Sequence, residues 1–126
     1  DGITWEARYS IAGQMVRVGV NPDDPTQVFA SGQNSVSDLA EVYRSLNSGV
    51  DWDTGLSVPG EDIQDFLQVH PLEPNRIFVT TRPPDCCPPD PASLWRSDDG
   101  GDTWNIISTG YLFNLYFAAP DSIYSI

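Results

Sequence analysis

Carboxylates supply most of the chemistry open to this sequence. Asp98, Asp99 and Asp102 crowd one short stretch, and Asp62 and Asp65 stand close together in another. Crowded carboxylates can coordinate a hard cation or divide acid and base roles between them. Cleavage of a glycosidic bond needs two of them at a set separation across the sugar, and surface Asp is too abundant here for sequence to single out a pair. Cys86 and Cys87 are the only cysteines, and they are adjacent. Adjacent thiols cannot build an ordinary disulfide framework, which leaves a strained vicinal disulfide or two thiols. The one histidine, His70, lies far from them in sequence. Zinc-ligand spacing is therefore absent, and neither a metal nor a cofactor is expected.

Composition narrows the partners. All six basic residues are Arg, against 18 Asp and Glu, for a net charge of −12. Phosphate binding needs clustered Lys and Arg, so nucleic acid is not an expected partner. A Lys-free, Asp-rich chain resembles the proteins of salt-loving archaea; a GC-rich genome, which favours Arg codons, gives the same bias. With 40% hydrophobic residues, 4 Trp, 5 Tyr and 5 Phe, the chain is not a disordered acidic tail. Ten Gly and 11 Pro imply frequent turns rather than long helices. No apolar run is long enough to span a bilayer, and no charged-then-apolar leader opens the sequence. A leader upstream of Asp1 stays open, and an extracellular or cell-surface location is the expectation.

The elements that position these residues show up as a repeat. Leu94-Trp95-Arg96-Ser97-Asp98-Asp99-Gly100-Gly101-Asp102-Thr103-Trp104 matches Val42-Tyr43-Arg44-Ser45-Leu46-Asn47-Ser48-Gly49-Val50-Asp51-Trp52, and Thr4-Trp5 ends a third copy. A second signature runs in phase with it: Asn21-Pro22-Asp23-Asp24-Pro25 matches His70-Pro71-Leu72-Glu73-Pro74, with Pro120 opening a reduced copy. Pro22, Pro71 and Pro120 are each 49 residues apart. Two signatures recurring in phase mark a structural unit repeated along the chain.

The first signature resembles the Asp-box, or bacterial neuraminidase repeat (BNR). Ser97, Asp99, Gly101, Thr103 and Trp104 match it fully; Ser45, Asn47, Gly49 and Trp52 match with Asn for Asp, and Asp51 stands in place of Thr. Such boxes occur in sialidases, xyloglucan-cleaving glucanases, sortilin-type receptors and photosystem assembly factors. The flavour here is most similar to uncharacterised prokaryotic repeat proteins. The resemblance implies an all-β chain of four-stranded antiparallel β-propeller blades: 1–10 the end of one blade, 11–57 and 58–108 two full blades, 109–126 the start of another. It also implies a structural, peripheral place for the box. Sialidases need an Arg cluster, a Tyr nucleophile and a Glu partner, and the Arg residues here match no such pattern. Arg44 and Arg96 occupy equivalent repeat positions, which marks them as structural.

The local pattern agrees with short strands. β-Branched and aromatic runs fall at 15–20, 27–30, 41–45 and 52–56 in one unit. They recur at 66–69, 76–80, 93–97 and 103–107 in the next, with further strands at 3–7, 112–118 and 122–126. Asp99 can accept turn N–H groups, Gly101 can take positive φ, and Trp104 can fold beneath the turn. His70, at the place of Asn21, reads as a turn residue. The opposite loops, at 31–40, 57–64, 82–92 and 108–111, form the candidate binding face. That face carries Asp62 and Asp65, which flank one of its turns, Arg82 and, on a stiff Pro-rich segment, Asp85, Cys86, Cys87 and Asp90. Both ends fall inside a unit, so the expected chain is a segment of a longer protein or one of several copies that close a ring.

The expected function is accordingly a non-catalytic propeller scaffold or binding module for protein or glycan, partnered by further blades of the same chain or of identical copies. The alternatives are a glycoside hydrolase fragment and a short ring-forming oligomer. Self-repulsion among the acidic side chains should weaken the fold at low ionic strength. The melting temperature should rise steeply from low to molar KCl; a curve flat below about 0.5 M, beyond ordinary screening, removes the salt-adapted reading.

Overall fold

A computed structural model describes residues 13–83, 92–110, 115–119 and 122–125. They form ten strands: β1 (Gly13–Val20), β2 (Val28–Asn34), β3 (Leu39–Ser45), β4 (Asp53–Pro59), β5 (Asp62–Val69), β6 (Ile77–Arg82), β7 (Ala92–Ser97), β8 (Asn105–Gly110), β9 (Leu115–Ala119) and β10 (Ser122–Ser125). Consecutive strands pair antiparallel into a four-stranded sheet β1-β2-β3-β4, a second β5-β6-β7-β8 and a ribbon of β9 with β10. The inner strands carry the apolar residues. Phe29, Ala30, Val42 and Tyr43 of the first sheet are buried, as are Ile77, Phe78, Val79 and Leu94 of the second. Strand β2 is buried without a break from Phe29 to Gly32 and β6 from Ile77 to Thr81, so both faces of these two strands are covered. The outer strand β8 is exposed from Asn105 to Thr109.

The all-β expectation holds, and the strands fall close to the apolar runs read from sequence. The propeller expectation does not hold. A propeller curls its blades radially around a channel, whereas these sheets are open meanders, neither closed nor strongly curved. The assignment to Asp-box (BNR) propeller proteins is corrected with it. So are the functions that rested on a ring: the propeller scaffold, the sialidase- or xyloglucanase-like fragment and the ring-forming oligomer. The strand expected at 3–7, the segment carrying Asp85, Cys86, Cys87 and Asp90, and the start of the strand expected at 112–118 lie outside the described residues.

The two sheets meet through β5, which packs across β1, β2 and β3. Phe29 and Val42 of the first sheet join Leu67, Val69, Ile77 and Val79 of the second in one core, flanked by Leu56, Ile63, Trp95 and Trp104. Each such side chain contributes about 1.5–3 kcal/mol by leaving water.

The hairpins that set strand register reuse one device. Asn21 Oδ1 accepts the N–H groups of Asp23 (2.8 Å) and Asp24 (3.2 Å). The Asn21 N–H donates to Gln27 O at 3.0 Å to close the β1–β2 turn. In the β5–β6 turn His70 Nδ1 accepts the N–H groups of Leu72 (3.2 Å) and Glu73 (3.0 Å), and the His70 N–H donates to Arg76 O at 2.8 Å. A buried imidazole nitrogen thus does what an Asn carbonyl does in the preceding unit. His70→Asn, which keeps an acceptor for both N–H groups, should lose about 1 kcal/mol less stability in urea than His70→Ala, which strands them. Equal losses would show that these bonds do not hold the turn.

Candidate functional site

The two turns that carry the repeat's polar signature have nearly superimposable bonding. In the β3–β4 turn Ser45 Oγ donates to Asn47 Oδ1 (3.0 Å) and accepts the Gly49 N–H (2.8 Å), while the Asp51 N–H donates to Asn47 Oδ1 (2.8 Å). In the β7–β8 turn Ser97 Oγ donates to Asp99 Oδ1 (2.8 Å) and accepts the Gly101 N–H (2.8 Å), while the Thr103 N–H donates to Asp99 Oδ1 (2.9 Å). Gly49 (φ +85°) and Gly101 (φ +94°) take the left-handed conformation that this path requires. Each turn ends on a Trp whose indole N–H donates back to the glycine carbonyl: Trp52 to Gly49 at 2.9 Å and Trp104 to Gly101 at 3.1 Å. Both Trp side chains are half-buried.

The second turn also builds the joint between the sheets. Arg44 on β3 holds Asp53 of its own sheet through Nε (3.4 Å) and Nη2 (3.1 Å). Its Nη1 donates across the joint to Gly100 O (3.3 Å) and Asp102 Oδ1 (2.5 Å). The side chain is only 14% exposed, and its bonds to Asp53 first, then Asp102, raise its affinity for the proton. Beneath it the backbones come close. A Cβ added to Gly55 on β4 would stand 2.6 Å from Gly101 O, and one added to Gly101 would stand 3.4 Å from Phe29 Cε1. No residue larger than glycine fits at 55 without a shift.

The crowded aspartates are therefore engaged with neighbours. Asp98 bonds Arg76 Nε (2.8 Å) and Arg96 Nε (3.0 Å), and the Arg76 bond is the main cause of its lowered pKa. Asp102 lies on Arg44. Asp99 is lowered from 3.8 to about 2, chiefly by the Thr103 hydroxyl, then by the Thr103 N–H and the Ser97 hydroxyl. Among the described residues no group of three His, Cys, Asp or Glu is placed to hold a metal ion. On the opposite face Asp62 and Arg82 stand directly across from each other on β5 and β6. Asp65 lies on β5, and its side chain is not among those described.

Two carboxylate networks escaped the sequence reading. The Tyr43 hydroxyl donates to buried Glu41, which also accepts the Ser57 hydroxyl at 3.4 Å. The Trp95 indole donates to Thr81 Oγ1 (2.9 Å), whose hydroxyl donates to Glu61. The first was readable, since residues two apart on a strand share a face. The second joins three distant positions and left no local trace. Two of the depressions among the described residues are shallow: about 350 Å³ beside Glu73, Asn75, Arg76 and Asp98, and about 240 Å³ beside Arg44, Asn47, Asp51 and Trp52.

No known family model matches the chain, and no curated protein is significantly similar to it.

A pH consequence separates the two turns. Asp99 has its pKa lowered in the folded state, so the stability it lends is present above the unfolded value of about 3.9. That stability is lost as pH falls toward about 2. The equivalent Asn47 does not ionise. Between pH 4 and 2 the NMR indole N–H signal of Trp104 should shift further than that of Trp52, and Asp99→Asn should remove the difference. Parallel shifts of both signals in the wild type would refute this.

Proposed function

We propose that the chain is an assembly module that holds polypeptide sheets against one another in a fixed order. The sheet-to-sheet joint carries this reading. Its two sides are unlike: the first sheet presents Phe29, Val42, Arg44 and Gly55, and the second presents Leu67, Val69, Ile77 and the Gly101 turn. Unlike surfaces that meet this way associate head to tail, and such contacts extend in one direction. The repeat gives each sheet versions of both surfaces.

Two further observations support a polypeptide partner. Strand β8 pairs only with β7 among the described strands, and it is an exposed edge without a charge or a proline. Ile106 on it is 49% exposed and Ile107 40%. Edges of that kind pair with other chains unless they are blunted. The carboxylates of the turns, meanwhile, are occupied by arginines and by turn N–H groups, and the excess negative charge keeps nucleic acid away. Among the described residues no helix is long and apolar enough to cross a membrane.

Light scattering across a dilution series of the 126-residue chain tests the reading. The purified chain should associate with itself, and Ile106→Lys should shift it toward monomer at unchanged melting temperature. A wild-type chain that stays monomeric at every concentration and matches the variant sinks the assembly function.

A further inference from the structure

We draw no further inference here: the strongest candidate, the depression at the β3–β4 turn lined by Arg44, Asn47, Asp51, Trp52 and Asp53, belongs to the turn and joint already described, where Asn47 is bonded to Asp51 and Arg44 to Asp53, and nothing in the structure shows what would fill it.

Discussion

The close approach of Gly101 to β4 is the constraint on which the rest of the structure depends. Two backbones meet there with no side chain between them, since a Cβ at Gly55 would lie 2.6 Å from the Gly101 carbonyl. That distance lets Arg44 reach Gly100 and Asp102 while it still holds Asp53. It also brings the turn over Phe29, which is fully buried. Were the turn held a side chain's width further out, the Phe29 ring would be uncovered and the guanidinium would lose its partners across the joint. A polar contact and an apolar one are thus coupled through one backbone distance.

The units solve the same local problem with different chemistry. Asn47 and Asp99 accept matching N–H groups, as do Asn21 and His70. What a turn requires is an acceptor at a given place, and an amide oxygen, a carboxylate or an imidazole nitrogen all qualify. The substitutions are not equivalent in other respects. Asp99 is charged and Asn47 is not, so only one turn couples its stability to acid through that position. The repeat preserves geometry while it varies the response to conditions.

That same locality explains what could be read from sequence. The strands, the Asn21 and His70 turns and the positive φ of Gly101 depend on neighbours a few residues away, so composition and spacing exposed them. The paired places of Arg44 and Arg96 were visible as a repeat. How the sheets are arranged in space was not, because a four-stranded meander carries the same alternation whether or not it belongs to a closed ring. The propeller inference took a local motif for a global one. The Glu61–Thr81–Trp95 network was hidden for a related reason: its members lie on the β4–β5 connection, β6 and β7, and only the folded register brings them together.

The acidity of the chain reads differently once these contacts are known. Eighteen carboxylates against six arginines look like a surface built to bind cations or to repel polyanions. Several of the carboxylates have fixed structural partners instead. Asp53 and Asp102 neutralise Arg44, Asp98 and Glu73 hold Arg76, and Glu41 and Glu61 accept hydroxyls. Arginine suits this role because its planar fork serves two carboxylates at once, which a lysine ammonium does with less directional control. The absence of lysine and the shared ion pairs therefore fit a single physical pattern: Arg44 and Arg76 each tie together two segments of chain. In Arg44 those segments belong to different sheets, which makes the scarcity of positive charge an organising feature of the fold rather than only a feature of its surface.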